Sequence, residues 1–355
     1  MVTRHRAYAS LFICLLTAAS CHAQQPPAPS ASSNRITLDV VVTEKSGRPV
    51  TGLEQNDFLL FDNKTPQPIT SFRALSHGQE PVEVILVVDT MNASYHAVAY
   101  ERTEIDKFMH TESSHLAYPT SLAVVTDTGT QITNGFTTDG NQVTAALDKY
   151  TVGLRTIRRG TGVYGADERF TLSLTALEAL VQREAARPGR KIILWVSPGW
   201  PLLSGPHIEL SSKQQQQIFA NVVGLSTELR KARITLYSVD PVGAGENLMH
   251  ANYYKTFIKG VEKPSQVNAG NLGLQVIATQ TGGLALDSSN DIAALLARCY
   301  TDANSYYEIS FEPPPADPNE YHSLQLQVQK PELFARTREG YYAQPATQPG
   351  SVAAQ

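Results

Sequence analysis

The sequence predicts an α/β protein in which a doubly wound, mostly parallel sheet is inserted into a small β-sandwich-like domain made from both chain ends. Between residues 82 and 303, continuous apolar runs alternate with helical patterns, as in parallel sheets that are covered on both faces. Shorter segments with alternating apolar residues occupy 36–78 and 305–342. Because a few strands at either end cannot easily close a core alone, we expect the two ends to pair with each other.

Composition and charge exclude several classes of protein. The chain of 355 residues is 42% hydrophobic and carries 29 Lys+Arg against 33 Asp+Glu, a net charge of -4. This balance suits a soluble globular protein and gives no electrostatic reason to expect a nucleic-acid partner. Beyond the N-terminal segment no apolar run is long enough to cross a bilayer, and three cysteines cannot form a disulfide framework.

Residues 1–23 have the pattern of a secretory signal peptide, with a basic start, an apolar stretch and small residues after it. Two cleavage sites compete. Cys-His-Ala before Gln24 suits ordinary signal peptidase, whereas Ala-Ala-Ser before Cys21 resembles a lipoprotein box that would leave lipid on Cys21. The protein is therefore predicted to be periplasmic, envelope-associated or extracellular, with membrane contact only through lipid on Cys21. Residues 24–34 follow as a flexible Pro/Ser/Ala-rich spacer.

Each secondary-structure element follows from its own pattern. Alternating or continuous apolar runs between turn residues predict strands over 36–42, 58–61, 69–72, 82–88, 121–127, 191–197, 234–240, 284–286, 307–311, 324–328 and 337–342, with a hairpin over 129–137. Apolar residues that recur every three to four positions predict helices over 97–112, 139–150, 171–187, 211–232, 272–283 and 290–303. The composition of 343–355 predicts a disordered tail.

The carboxyl ends of the buried strands are predicted to form the ligand face, as in other doubly wound sheets. These ends carry Asp89, Asp127, Ser197 and Asp240. A carboxylate at position 89, with hydroxyls two and four residues later, could hold Mg²⁺, but a Met and an Ala occupy those two positions. The alternative role of Asp89 is to cap the helix that follows it.

The chain resembles the von Willebrand factor A domain in the order of its elements: a strand that ends in Asp89, a turn, a helix and a later KIILWVSPGWP segment. More narrowly, the chain is similar to the von Willebrand factor A-related family described from acidobacteria. The matching stretches run over almost the full mature length in the family's order: VVVTEKSGRPVTGLEQNDFLLFDN, VVDTMNASYHAVAYERTEIDKFM, TLSLTALEALVQREAARPGRKIILWVSPGWP, ARITLYSVDPVG, IATQTGG, SYYEISFEP and TREGYYA. The resemblance implies adhesion or assembly functions through a protein partner.

The family's metal-ion-dependent adhesion site has the pattern Asp-x-Ser-x-Ser, then a Thr in a loop, then an Asp after a later strand. Asp89 matches the first position, whereas Met91 and Ala93 replace the two serines. Thr171 is a candidate for the threonine, and Ser197 stands where the last aspartate belongs. The resemblance therefore implies a degenerate metal site, in which Asp89 is the one metal candidate.

Two alternatives accompany this interpretation of the metal site. Thr161 lies in the same loop as the candidate threonine, and Asn92, Ser94 and Asp240 could supply oxygen atoms for a rebuilt site. We expect no cofactor, and Mg²⁺ or Mn²⁺ is the alternative.

We predict an exported, non-catalytic protein–protein interaction or adhesion module. Its predicted binding face comprises residues at the strand ends and in the loops beside them: Asp89, Asn92, Ser94, Thr171, Ser197, Trp200 and Asp240. Trp200 follows Gly199 in one of these loops and is the aromatic residue expected to contact a partner.

Two other functions stay open. The chain could be a scaffold component of the envelope held by lipid on Cys21, or a nucleotide-dependent enzyme that uses the G-x-G-x-x-G sequence of Gly160–Gly165. That fingerprint needs a buried strand directly before it, and the preceding LRTIRR is charged. Neither G-x-S-x-G nor H-E-x-x-H occurs, so the chain is predicted not to be an enzyme.

Two further features concern packing. Cys299 lies in an apolar helical pattern and is predicted to be buried. The pairs Tyr253-Tyr254, Tyr306-Tyr307 and Tyr341-Tyr342 would place one ring on each side of an extended chain. One ring of each pair can then fill the core and the other can lie at the surface, where tyrosines suit contact with a partner, but packing between the two predicted domains is the commoner explanation.

Overall fold

The computed structural model describes residues 35–151, 163–201, 209–241, 253–287 and 289–345. The predicted signal peptide, the spacer, Cys21, Thr161 and most of the predicted tail lie outside these ranges. Within them, the chain forms a mixed α/β structure with one seven-stranded sheet and two four-stranded sheets.

The seven-stranded sheet is mostly parallel, as predicted. Its strands in spatial order, with β8 also paired to β6, are β11 (Ala285–Leu286), β10 (Ile234–Val239), β9 (Arg190–Val196), β5 (Val82–Asp89), β6 (His115–Thr126), β7 (Gly129–Ile132) and β8 (Thr137–Asp139). The strands from β11 to β6 run parallel, whereas β7 and β8 are antiparallel to β6. Every residue of β9 is buried, as expected of a strand that is covered on both faces.

Helices cover both faces of this sheet. They are α1 (Tyr95–Met109), α2 (Gly140–Thr151), α3 (Val163–Ala185), α4 (Ser212–Lys231), α5 (Leu274–Gln280) and α6 (Ile292–Asn304). Apolar residues of α1, α2 and α6 pack on one face, and those of α3, α4 and α5 pack on the other. The predicted doubly wound arrangement of the central sheet is therefore present.

Two predicted boundaries in the central region are wrong. Helix α3 begins at Val163 rather than at 171, because the charged residues Asp167 and Glu168 occupy exposed positions within its first turns. Strand β6 begins at His115 rather than at 121, and its first half alternates between exposed and buried positions.

The turn from α3 into β9 depends on a glycine. Gly189 has a φ of +80°, and a Cβ atom at this position would lie 2.3 Å from the carbonyl oxygen of Pro81. Only glycine combines this backbone conformation with so close an approach. The Pro-Gly stop that the sequence places after α3 therefore ends the helix and brings the chain against the start of β5.

The two four-stranded sheets contain strands from both parts of the chain that flank the central region. One has the order β14 (Leu333–Arg336), β1 (Ile36–Glu44), β12 (Ser305–Phe311) and β4 (Ser71–Ser76). The other has the order β15 (Gly340–Tyr342), β13 (Tyr321–Val328), β2 (Phe58–Asp62) and β3 (Thr65–Gln67). Their apolar residues, such as Leu38, Leu60, Ile309 and Leu324, belong to one buried cluster. We call these two sheets the chain-end sheets.

Two of the tyrosine pairs pack between the two parts of the fold, which was the commoner of the two explanations. Tyr306 and Tyr307 are each 2% exposed in β12, and Tyr341 and Tyr342 are 3% and 2% exposed in β15. Tyr306 packs in a core of the central sheet, whereas Tyr307 packs in the core of the chain-end sheets. Both rings of each pair are buried because each strand lies between two apolar layers, so neither pair offers a surface tyrosine.

The remaining pair and the cysteine lie in helical segments. Tyr253-Tyr254 begins a short 3₁₀ helix, Tyr253–Phe257, and is not in a strand. Cys299 is fully buried in α6, as predicted, and burial raises the pKa of its thiol. No helix among the described residues is long and apolar enough to cross a membrane.

Candidate functional site

The candidate site lies at the carboxyl edge, by which we mean the edge of the central sheet where its parallel strands end. Asp89 is the last residue of β5 and is fully buried. Its Oδ1 accepts hydrogen bonds from the backbone N–H groups of Met91 at 3.2 Å and Asn92 at 3.1 Å. These bonds fix the turn that leads into α1.

Asp89 is not the N-cap of α1, which was one of its two predicted roles. Ser94 is the N-cap, and its side chain accepts a hydrogen bond from the backbone N–H of Ala97 at 3.2 Å. Ser94 is exposed at the carboxyl edge, as the predicted binding face requires. The carboxylate of Asp89 therefore organises the turn, and the hydroxyl of Ser94 starts the helix.

The second oxygen of Asp89 is also fully engaged. Its Oδ2 accepts hydrogen bonds from Asn92 Nδ2 at 2.8 Å, from Ser197 Oγ at 3.0 Å and from Trp195 Nε1 at 3.3 Å. Together with the two backbone donors, five donors converge on a carboxylate that offers about four lone-pair sites. Burial raises the pKa of Asp89, and these hydrogen bonds oppose that shift.

Helix α3 contributes a serine rather than the predicted threonine. Thr171 is exposed, because α3 begins earlier than expected and carries this residue on its outer side. Ser173 is fully buried, and its Oγ accepts a hydrogen bond from Asn92 Nδ2 at 2.9 Å. The amide of Asn92 therefore links Asp89 to the third helix.

Trp200 is not a surface residue. It is 5% exposed, and its ring packs edge-to-face on Trp195 with the ring centroids 5.2 Å apart. The Nε1 atom of Trp200 is buried and has no hydrogen-bond partner among the described residues. Trp200 therefore supports the tryptophan that contacts Asp89, and it does not offer a ring to a partner.

Two more carboxyl groups lie near Asp89. Asp240 follows β10 and is half-buried, and Glu101 of α1 is fully buried. Neither side-chain oxygen of Glu101 has a hydrogen-bond partner among the described residues. Burial, with the charges of Asp89 and Asp240 as smaller causes, raises the pKa of Glu101 well above its usual value. Burial therefore favours the neutral form of Glu101 over the charged form.

The sequence analysis did not identify Glu101, although a signal exists. Val98, Glu101, Ile105 and Phe108 recur every three to four residues along α1, and all four are buried. A carboxyl group on such an apolar stripe faces the core.

Oxygen atoms that could bind Mg²⁺ are few among the described residues beside Asp89, and one of them, the buried Oδ1 of Asn92, has no hydrogen-bond partner there. The oxygens of Asp89 accept from N–H and O–H donors, and Met91 and Ala93 are buried without offering an oxygen from their side chains. Among the described residues, no group of three or more His, Cys, Asp or Glu side chains is placed to hold a metal ion.

One exposed aromatic residue does lie at this edge. Tyr95 is the first residue of α1, directly after the Ser94 cap, and is 77% exposed. An exposed tyrosine offers a rigid apolar ring and a hydroxyl to a partner, and tyrosines are enriched in protein interfaces. Its position at the start of α1, next to the Asp89 turn, is the signal by which the sequence analysis could have chosen it over Trp200.

The first three residues of the Gly160–Gly165 sequence lie outside the described ranges, as do the residues directly before them, where the nucleotide-binding fingerprint requires a strand. The last three residues belong to helix α3.

No family model and no curated protein sequence matches this chain. Among solved structures, it is similar to the N-terminal domain of TFIIH p34, with 13% identity and a TM-score of 0.31 over 62% of this chain and 97% of that one. It is similar to the manganese-loaded TRAP protein of Plasmodium vivax, with 10% identity and a TM-score of 0.35 over 77% and 98% of the two chains.

A third similar structure is the pilus adhesin SpaC from Lactobacillus rhamnosus GG, with 9% identity and a TM-score of 0.37. The similarity covers 83% of this chain and 49% of the adhesin, so the chain spans about half of that protein. With TM-scores below 0.5, none of the three similarities assigns the chain to a family.

Proposed function

We propose that this protein is an exported, non-catalytic protein–protein interaction or adhesion module of the von Willebrand factor A-related type. It binds a protein partner through the carboxyl edge of its central sheet and does so without a cation. The observation that carries the proposal is the saturated carboxylate of Asp89, which acts as a structural anchor for the loops.

In our proposal this carboxylate fixes the turn that leads into α1. Asp89 connects the turn before α1 to β9 through Ser197, and Asn92 connects the same turn to α3 through Ser173. Rigid loops lower the entropic cost of binding, because less freedom is lost when the partner docks. In our proposal Tyr95 is the contact residue that these loops present.

The chain-end sheets act in this proposal as a base for the module. We propose that they form a β-sandwich-like domain into which residues 82–303 are inserted. Pairing of β1 with β12 and of β2 with β13 supports this arrangement, since each pair joins strands from the two flanking segments. Both ends of the inserted segment would then meet the same domain.

A photo-crosslinking experiment tests the proposed function. A photoreactive phenylalanine analogue replaces Tyr95 in the full chain, expressed in its native cells, and the same analogue replaces Phe334 as a matched control. Phe334 is 55% exposed on β14, away from the carboxyl edge. We expect a discrete crosslinked protein with the analogue at position 95 and none with it at position 334.

The Tyr95→Ala variant completes the test. Because Tyr95 is exposed, we expect the substitution to change the free energy of unfolding by no more than about 0.5 kcal/mol, as is usual for surface changes. The melting temperature of the variant should therefore stay near that of the wild type. Copurification of the crosslinked protein should fall at least tenfold with Tyr95→Ala and stay unchanged with Phe334→Ala. Equal copurification with both variants would refute binding at the carboxyl edge.

A further inference from the structure

A cluster of arginines lies at the other end of the central sheet. Arg230 near the end of α4, Arg233 before β10 and Arg338 between β14 and β15 line one small polar cavity of about 20 Å³. Asp39 of β1 and Thr281 also line this cavity. We call this the arginine pocket.

One of the three arginines is neutralised by carboxylates. Nη2 of Arg233 lies 2.5 Å from Asp39 Oδ1 and 2.7 Å from Glu308 Oε2. Although burial disfavours the charged guanidinium, the charges of Asp39 and Glu308 raise the pKa of Arg233 above its usual value. The acidic groups at the pocket are thus engaged with Arg233.

The other two arginines are less well compensated, because the charge of Asp39 opposes the effect of burial on Arg338 only as a smaller cause. Among the described residues, neither Arg230 nor Arg338 forms an ion pair with a carboxylate, and the buried Nε of Arg230 has no hydrogen-bond partner. Arg338 is only 8% exposed. Burial, together with the nearby charge of Arg230, lowers the pKa of Arg338 to about 9. Burial also lowers the pKa of Arg230.

The buried Arg338 and the half-buried Arg230 repel each other, and this repulsion destabilises the folded state unless an anion lies near both. An unpaired buried charge is unfavourable, and hydrogen bonds from guanidinium to an anion are among the strongest in proteins. The cavity of about 20 Å³ is large enough for one water-sized ligand, since a water needs about 10–15 Å³. A nucleotide or a sugar phosphate is too large for this space.

We propose that the arginine pocket is a binding site for one small monovalent anion, of the size of chloride or formate. The guanidinium groups of Arg230 and Arg338 donate to it. Arg230 belongs to α4 and Arg338 to the segment between β14 and β15, so the bound anion joins the central sheet's helical layer to the chain-end sheets. This site is independent of the carboxyl edge and of the proposed partner.

Thermal unfolding of the purified protein measures this binding. The buffer contains sodium gluconate, whose anion exceeds the cavity, and chloride, bromide or formate replaces gluconate at constant ionic strength. We expect a saturable rise of about 2–5 °C in the melting temperature. Chloride and bromide test the halide as the source, and formate tests a carboxylate.

Substitutions assign the rise to the pocket. Arg338→Met removes one guanidinium and should abolish the rise, while its melting temperature in gluconate stays equal to that of the wild type or exceeds it. Arg48→Met is the matched control, because Arg48 forms an exposed ion pair with Glu44 and should keep the full rise. An absent rise in the wild type, or one of equal size in Arg338→Met, would overturn the proposal.

Crystals grown in bromide locate the anion directly and do not depend on a variant that folds. An anomalous peak between the guanidinium groups of Arg230 and Arg338 is the expected result. Bromide found at other places only would overturn the proposal. Arg230→Met serves as the second variant if Arg338→Met does not fold.

Discussion

Buried carboxyl groups occur in two regions of the molecule and are compensated differently. In the chain-end sheets, Asp62 accepts a hydrogen bond from the hydroxyl of Tyr341 at 2.6 Å, and its other oxygen lies 2.7 Å from Nδ1 of His322. A base that can carry positive charge therefore lies beside this carboxyl group. At the carboxyl edge, the donors to Asp89 are neutral amide, indole and hydroxyl groups, and Glu101 has none among the described residues.

The difference indicates that the buried carboxyl group of the chain-end sheets serves stability, whereas those at the carboxyl edge organise the candidate site. Asp62 joins β2 to β13 and β15 and stabilises the pairing of distant strands. The carboxyl edge instead concentrates acidic groups, and burial raises the pKa of one of them, Glu101. Strongly shifted acids are commoner at functional sites than elsewhere, which fits the proposed role of this edge.

The largest expected effect comes from removing either buried aspartate. Asp89→Ala leaves five donors without their acceptor, and Asp62→Ala, the matched variant, leaves Tyr341 and His322 unpaired. We expect each to lose about 3–5 kcal/mol of the free energy of unfolding, measured by urea denaturation. If Asp89→Ala lost less than a third of the amount lost by Asp62→Ala, the carboxylate would not anchor the loops.

We expect Glu101→Gln to raise the free energy of unfolding at pH 8, by less than either aspartate substitution lowers it. The folded pKa of Glu101 is raised above the unfolded value near 4.5, so above about pH 4.5 the folded state binds more protons than the unfolded state does. Its contribution to stability is therefore complete at low pH and is lost as the pH rises toward the folded pKa. Glu101→Gln removes this loss.

Chemical denaturation between pH 4.5 and pH 8 checks the sign. At pH 8 the Glu101→Gln variant should exceed the wild type by about 1–3 kcal/mol, and the difference should shrink toward pH 4.5. Glu262→Gln is the control, because Glu262 is exposed and should leave the pH profile unchanged. A variant less stable than the wild type at pH 8 would show that Glu101 is charged and paired.

The central sheet could be predicted because its middle strands β5, β9 and β10 are almost entirely buried. A run such as that of β9 has no polar face, so composition alone shows that layers cover both sides. The position of Asp89 followed from the same pattern, because the residue that ends a parallel strand lies at the carboxyl edge. Cys299 was placed correctly by its helical spacing.

Other parts of the site could not be predicted from the sequence. Trp200 lies in a loop, where no periodicity distinguishes a buried ring from an exposed one, and its burial depends on Trp195. Ser173, and not the predicted Thr171, lies at the site. The start of α3 falls in a charged segment, and a shift of two residues along a helix turns a side chain to a different face. Contacts of this kind depend on tertiary packing.

The smallest expected effect concerns cations, and it tests the carboxyl edge most directly. A divalent cation would have to displace Asn92, Trp195 and Ser197 from the same oxygen of Asp89, and the neighbouring side chains of Met91 and Ala93 offer no oxygen in exchange. We therefore expect thermal unfolding in EDTA, millimolar Mg²⁺ and millimolar Mn²⁺ to give one melting temperature within experimental error. A ligand that binds only the folded state must raise this temperature, so a bound cation would be detected as a rise. A rise that persists in Arg48→Met and disappears in Asn92→Ala would place a cation beside Asp89 and replace the metal-free proposal with cation-dependent adhesion.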